Sequence, residues 1–360
     1  MSMLPRMKPR VFYDLVIEVA VVRPGPIQGG MVHPYLRRRQ GLEPVRYPSP
    51  EMEAALGRTL GVPIFQEQVM QVAILGAGFT PGEADQLRRA MAAWKRKGGL
   101  EHYYDRIVRG MLERGYELAF AEAIFSQIQG FGEYGFPESH AASFALLAYA
   151  SSWMKCHEPA AFLCALLNSQ PMGFYSPSQL VQDAQRHGIE VRPSDIAISG
   201  WESTLEELHD STRQPAVRLG LSLQRGMNRE AAARIEDARA IRPFDSVADL
   251  ARRAGLARGD LQVLAGANAL RSLAGHRREA LWQAVGGVPD KDLLRPTTVE
   301  EAMPVLAAPS EGDEIVGDYR AQGLTLGRHP VALLRKPLLA QRFMPASVLN
   351  EYADGQLARG

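Results

Sequence analysis

The chain has 360 residues, 46% hydrophobic and 22% charged, with a formal net charge of +1. That composition excludes a disordered, fibrous or disulfide-stapled chain and leaves room for two or three globular domains. The near-neutral balance also excludes nucleic-acid binding by bulk charge, so any such binding must come from local clusters of Lys and Arg.

No apolar run reaches membrane-spanning length and no signal peptide opens the chain, so a cytoplasmic protein without a membrane partner is expected. Cys156 and Cys164 share one apolar helical region, which predicts buried free thiols rather than a disulfide or a metal site.

In chain order, Val11 to Val22 is apolar and β-branched and reads as a strand or a short helix, stopped by Pro24-Gly25-Pro26. So abrupt a beginning predicts missing sequence upstream. Arg37, Arg38 and Arg39 read most simply as a solvated face, with a phosphate contact as the alternative.

From Val62 to Gly76, Ile64, Val69, Val72 and Ala73 share one helical face, and Gln66, Glu67, Gln68 and Gln71 crowd the other surfaces. Thr80-Pro81-Gly82-Glu83 is a capping box with proline at the first helical position, and Ala84, Leu87 and Met91 form the buried stripe of the helix that follows. Arg88, Arg89, Lys95, Arg96 and Lys97 then make a basic patch running into Gly98-Gly99. Asp85 can pair with Arg89 at i,i+4, which leaves the other cations unexplained. Such a cluster suits an anionic ligand, a triphosphate or a DNA backbone.

Tyr103 to Gly130 continues helical. The stretch from Gly130 to Phe162 begins with Gly and Pro and opens into a long run free of both. Ser139 stands where a helix cap should stand, and Ala142, Leu146, Tyr149 and Trp153 follow at helical spacing as a buried face. Residues 1–170 thus read as one helical unit around Phe65, Leu87, Phe125, Leu146 and Trp153. Glu138, Ser139, His140 and several backbone N–H groups stand at the positive end of the helix dipole, where an anion could sit, although most capped helices bind nothing.

The second half is shorter-grained. Phe174 to Ser178 is a connector, a short helix with Leu180, Val181 and Ala184 ends at Gly188, and Ile189 to Pro193 is a brief strand. WESTLEEL and AVRLGLSL flank a polar turn, Asp210 to Pro215, as a β-hairpin. The next stretch, QRGMNREAAARIEDAR, gives a Gly-bearing turn and a helix with Ala231, Ile235 and Ala238 inward, a helix-hairpin-helix arrangement. The turn's amides in that motif grip a DNA phosphate without reading sequence. Asn228 stands where a second glycine is usual, and Asn tolerates a left-handed backbone. A second unit runs from Phe244 to Leu273, with Arg252, Arg253 and Arg258 as flanking cations or solvated surface. Gly286 to Gly317 reads as a linker, followed by a helical piece from Asp318 to Leu339 and a tail that looks cut at Gly360.

The stretches VIEVAVVRPGPIQGGMVHPYLRRR, PIFQEQVMQVAI, ADQLRRAM, GFGEYGFPESHAASFALLAYASSWMKCHEPAAF and GLTLGRHP together resemble the bacterial C-family DNA polymerases, the polymerase III alpha subunits. Pro137-Glu138, where replicative members usually carry Asn-Lys, resembles the error-prone branch linked to damage-induced mutagenesis. The resemblance implies a mainly α fold: a helical fingers domain, then a small helix-hairpin-helix domain with a short β-hairpin, then a linker. It sets a palm-to-fingers junction at 1–30, fingers at 31–173, the DNA-binding helix-hairpin-helix domain at 174–285, and a linker approaching a missing OB-fold at 286–360.

By the same likeness, Arg88, Arg89, Lys95, Lys97, Ser139 and His140 face the incoming nucleotide, and Arg225, Gly226, Asn228, Arg252 and Arg253 face DNA. The implied partners are primer-template DNA, a deoxynucleoside triphosphate, and the sliding clamp with other mutagenesis-complex proteins. Mg2+ serves the whole polymerase through palm aspartates expected upstream, so this chain is expected to bind none and to be inactive alone. Asp290-Lys291-Asp292 then reads as linker charge, or with Leu293 and Leu294 as a degenerate clamp-binding peptide. The alternative is a non-catalytic DNA-binding or scaffold protein of a mutagenesis complex.

Overall fold

The computed structural model describes residues 3–22, 32–97, 101–130, 137–207, 214–286 and 304–359, and for 92–97, 101–102 and 130 the backbone alone. The chain divides into two compact units, residues 1–152 and 153–360, both mainly helical.

In the first unit the β-branched run becomes helix α1, Phe12–Val21. Asp14 decides this locally, because its carboxylate accepts the backbone N–H groups of Arg10 at 2.6 Å and Val11 at 3.1 Å and so satisfies donors that a helix start leaves orphaned. Helices α2 (Val32–Arg39) and α3 (Pro50–Leu56, capped by Ser49) follow. Next come α4 (Gln66–Ala77), α5 (Pro81–Lys97), α6 (Glu101–Leu112) and α7 (Leu118–Gly130). Helix α4 is the hub, with α3, α5 and α6 packed against it. The expected core residues Phe65, Leu87 and Phe125 are buried there, as are Ala84 and Met91 of the stripe on α5. Gly110 lets α6 approach the end of α4, since a Cβ at that position would lie 2.2 Å from the Ala77 carbonyl oxygen.

Several expectations are corrected. Gln68 is buried rather than on a polar surface. Its Oε1 accepts the N–H groups of Ile64 (2.9 Å) and Phe65 (3.2 Å), and its amide donates to Thr59 Oγ1 at 2.7 Å, so it caps α4 from inside the core. Arg38 and Arg39 are not a solvated face: Arg38 donates to Glu43 and to the Leu60 carbonyl, and Arg39 grips Asp14.

Helix α8, Glu138–His157, starts one residue before Ser139, and the Pro137 carbonyl accepts the first intrahelical bond from Ala141 N–H at 3.1 Å. Ser139 is therefore in the first turn and is not the cap. The residues of α8 buried in the first unit's core are Ala141 and Ala145, whereas Leu146, Tyr149 and Trp153 are about half exposed. The apolar spacing was real, but small residues dock this helix closely while the large ones face outward. Cys156 is exposed and Cys164 half-buried, both free.

In the second unit, α9 (Pro159–Asn168) and α10 (Pro177–Arg186) pack together, and α9 also packs on a small sheet. Ser176 and Gln179 form a capping box at the start of α10. The strands are β1 (Val191–Arg192), β2 (Thr204–Glu206) and β3 (Ala216–Arg218), in the order β1-β3-β2. The expected hairpin is present, with Thr204 opposite Arg218 and Glu206 opposite Ala216, and β1 adds in parallel to β3. Its turn, 208–213, lies outside the described residues.

Helices α11 (Arg229–Ile241), α12 (Val247–Arg253), α13 (Arg258–Gly266) and α14 (Arg277–Gly286) enclose a second core around Ile235, Leu250, Leu261 and Leu264. The end of the expected linker is helical: α15 (Glu311–Gln322) starts seven residues before the helical piece expected from Asp318, and its Ser310 and Asp313 form a capping box. Composition hid it because its apolar face is short, with Ile315 its one buried side chain. Asp290-Lys291-Asp292 lies outside the described residues.

Candidate nucleotide and nucleic-acid interface

Helix α5 begins at the expected capping box, with Thr80 N–H donating to Glu83 Oε2 at 2.7 Å and Glu83 N–H donating to Thr80 Oγ1 at 3.3 Å. About one turn later Asp85 holds both arginines. Arg88 reaches it through Nε at 2.9 Å and Nη2 at 2.8 Å, and Arg89 through Nε at 2.9 Å. The carboxylate thus accounts for Arg88 as well as Arg89, which corrects the expectation that it could account for only one. Hydrogen bonding from Arg88 holds the Asp85 carboxyl below the ordinary aspartate range. Both guanidinium groups remain accessible, Arg89 more so at 74% side-chain exposure. The side chains of Lys95, Arg96 and Lys97, and all of Gly98-Gly99, lie outside the described residues.

The first turn of α8 is wired differently. Glu138 Oε1 accepts from Tyr13 Oη at 2.8 Å and from Arg58 at 3.0 Å, and Glu138 N–H donates to Glu67 Oε2 at 2.9 Å. Glu67 therefore occupies one of the helix-start amides expected to be open to an anion. The Arg58 guanidinium lies 3.6 Å from the centroid of the Tyr13 ring. Burial and the bond to Glu138 raise the Tyr13 hydroxyl above the ordinary tyrosine range. Ser139 and His140 are exposed on the same turn, and the His140 ring lies 4.6 Å from that of Phe144.

The structure ties Arg88 and Arg89 to Asp85, and Glu138 to Tyr13, Arg58 and Glu67. Glu67 lies in the first turn of α4, and α5 follows the last turn of α4 in the chain. Tyr13, Arg58 and Glu67 drew no functional attention in the sequence. Their partners are brought together only by folding, with Tyr13 separated from Glu138 by 125 residues.

In the second unit, two hairpins carry a left-handed glycine before a helix: Gly226 (φ +87°) before α11 and Gly255 (φ +57°) before α13. Both glycines are exposed while the adjoining Met227, Ala254 and Leu256 are buried, so each turn is pinned by its flanks and presents its backbone outward. Asn228 is extended (φ −93°, ψ 134°) rather than left-handed, and its side chain caps α11 by accepting Glu230 N–H at 2.8 Å.

The expected DNA-facing arginines differ in role. Arg225 is exposed; its N–H donates to the Ala321 carbonyl at 2.8 Å and its guanidinium reaches the Arg320 carbonyl, both at the end of α15. Arg252 is 70% exposed and touches Asp249 at 3.0 Å. Arg253 is 14% exposed and packed over the Phe244 ring. It also donates to Asp249 and to the carbonyls of Ala238, Arg242 and Pro243. Arg253 is a structural brace, and Arg252 is the cation left facing solvent. Burial alone would raise the Asp249 carboxyl, but hydrogen bonds from Arg252 and Arg253, aided by Asp245 N–H and the charge of Arg242, pull it down to about 2.

Among the described residues no group of three or more His, Cys, Asp or Glu could hold a metal ion, and no helix is long and apolar enough to cross a membrane.

Residues 1–115 match the family described as the bacterial DNA polymerase III alpha subunit finger domain, and residues 188–280 match the helix-hairpin-helix motif. The whole chain is similar to proteins named error-prone DNA polymerase. It is 64% identical over 360 residues to that of Bordetella bronchiseptica, covering 100% of this chain and 34% of the relative. It is 61% identical over 359 residues to that of Alkalilimnicola ehrlichii, covering 100% and 35%. It is 58% identical over 360 residues to that of Pseudomonas aeruginosa, again covering 100% and 35%. The chain spans about a third of the length of the curated relatives it matches.

Proposed function

The chain belongs to the bacterial DNA polymerase III alpha-subunit family, and on that premise we propose that it supplies incoming-nucleotide and duplex contacts to an error-prone, damage-induced DNA polymerase. The observation that carries this reading is the match across the full 360 residues, at 64% identity, to a protein named error-prone DNA polymerase.

In this reading the reaction is phosphoryl transfer from a deoxynucleoside triphosphate to a primer end, and this chain binds and orients. Arg88 and Arg89 take the triphosphate, and the resemblance assigns Lys95 and Lys97 to the same ligand. The fork that Arg88 presents to the Asp85 carboxylate is the geometry a phosphate would use, so the triphosphate competes with Asp85 for it. Ser139 and His140 add polar contacts from the first turn of α8. The hairpins at Gly226 and Gly255 offer backbone amides to duplex phosphates, and Arg252 adds an accessible charge. Mg2+, held by carboxylates outside this chain, would activate the attacking oxygen and steady the leaving group.

The test uses the purified 360-residue chain and a fluorescent primer-template. Binding should weaken steeply with added salt, the signature of phosphate contacts. Salt-insensitive or absent binding would sink the duplex reading. With Mg2+ and all four triphosphates added, no extension is expected, and robust extension would overturn the assignment of metal chemistry to residues elsewhere.

A further inference from the structure

Glu138 is the residue before Ser139 and the first of α8, so it places an acid on the turn assigned above to the triphosphate. A second acid, Glu67, is hydrogen-bonded to that turn's leading amide at 2.9 Å. Two carboxylates beside a polyanion site oppose binding by simple Coulomb repulsion. Among the described residues one cation answers them directly: Arg58, which pairs with Glu138 at 3.0 Å. Its guanidinium rests 3.6 Å over the Tyr13 ring, and the Tyr13 hydroxyl donates to the same carboxylate oxygen at 2.8 Å. Tyr13 therefore fixes both partners, one by its ring face and one by its hydroxyl.

The ring contact matters because an exposed ion pair usually loses much of its value to side-chain freedom. Arg58 is 65% exposed and Glu138 27% exposed, yet stacking and a shared acceptor hold them in one geometry. The pair is also not needed to form α8, whose first bond is made by the Pro137 carbonyl and whose docking into the core rests on Ala141 and Ala145. That leaves the charge of the turn as a property the pair can set on its own.

We propose that Glu138 and Arg58 tune triphosphate affinity, Glu138 as an acidic brake on the nucleotide-facing turn and Arg58 as the cation that offsets it. The inference rests on the nucleotide reading above and adds which residues set its strength. Neither side chain acts on the reaction; they are positioning and charge-setting residues. Their influence scales with the number of phosphates on the ligand and vanishes for a neutral nucleoside.

The experiment is calorimetric titration of the 360-residue chain with dATP, dAMP and deoxyadenosine. Glu138→Gln keeps an acceptor for Tyr13 and Arg58 but removes the charge, and should tighten dATP by about two- to fivefold, the range of a screened surface charge. Arg58→Ala should weaken dATP by a similar factor, dAMP by less and deoxyadenosine not at all. The double variant should return dATP affinity to near that of the unaltered chain. A merely structural role would move all three ligands together, and that result, or a Glu138→Gln variant that binds dATP no better, would overturn the inference. If the unaltered chain binds no triphosphate, the nucleotide reading itself fails and this inference with it, a result distinct from normal binding that neither variant alters.

Discussion

Arg39 and Asp14 face each other through two parallel hydrogen bonds, 2.8 Å to Oδ1 and 2.7 Å to Oδ2, in a half-buried site that also fastens the backbone carbonyls of Met7 and Lys8. One guanidinium thus ties α2 to the start of α1 and to the turn before it. Arg39→Ala should cost about 3 kcal/mol, because it strands a buried carboxylate. Arg39→Lys should recover only part, since an ammonium lacks the planar fork. Urea unfolding of both variants checks this. Burial raises the Asp14 carboxyl, but Arg39 and two backbone donors outweigh it and hold it below the ordinary aspartate value. Its contribution is therefore complete at neutral pH and lost as pH falls below that value.

Asp249 is the corresponding hub of the second unit, touching Arg242, Arg252 and Arg253 at 3.0 Å each. Its carboxyl is held at about 2, against an ordinary 3.8, so its stabilisation is present above the higher value and disappears as pH falls toward the lower. Asp249→Asn should lose roughly 2 kcal/mol at neutral pH and should flatten the acid limb of the stability profile. Thermal melts from neutral pH down to about 2 measure both effects.

Gly110 and Gly82 separate packing from propensity. A Cβ on Gly110 would meet the Ala77 carbonyl at 2.2 Å, whereas a Cβ on Gly82 meets nothing within 4 Å. Gly110→Ala should destabilise by about 2 kcal/mol as α4 and α6 are forced apart. Gly82→Ala should be neutral or stabilise by about 0.5 kcal/mol, because Ala loses less backbone entropy in a helix. Equal effects in chemical denaturation would contradict the α4–α6 contact.

Two adjacent arginines should behave oppositely on DNA. Arg252→Ala removes an exposed cation and should lower the slope of log affinity against log salt by about 1 with little change in stability. Arg253→Ala removes the brace over Phe244 and should lower the melting temperature first. Anisotropy titrations across a salt series, run beside thermal melts, distinguish them.

Within the basic patch, Arg89→Ala should weaken triphosphate binding far more than Arg96→Ala, because Arg89 offers an accessible fork beside Arg88. A titration giving equal losses for the two variants would move the nucleotide off this part of α5.

The sequence by itself determined whatever depends on neighbours along the chain. The capping box at Thr80 and Glu83, the buried stripe of Ala84, Leu87 and Met91, the β2–β3 hairpin and the glycine turn at Gly226 all follow from spacing and backbone preference, and all are in the structure. The family, too, was legible, because its motifs are long runs of local sequence. Tertiary structure alone decided the long-range partners of the polar side chains. Arg39 is a clamp on Asp14, Gln68 a cap inside the core, and Glu138 a junction for Tyr13, Arg58 and Glu67. It also decided that α8 docks through Ala141 and Ala145 while Leu146, Tyr149 and Trp153 stay outward. Helical periodicity tells which residues share a face but not which face meets the core. A side-chain contact across 25 or 125 residues depends on distances in space, and those exist only once the chain has closed on itself.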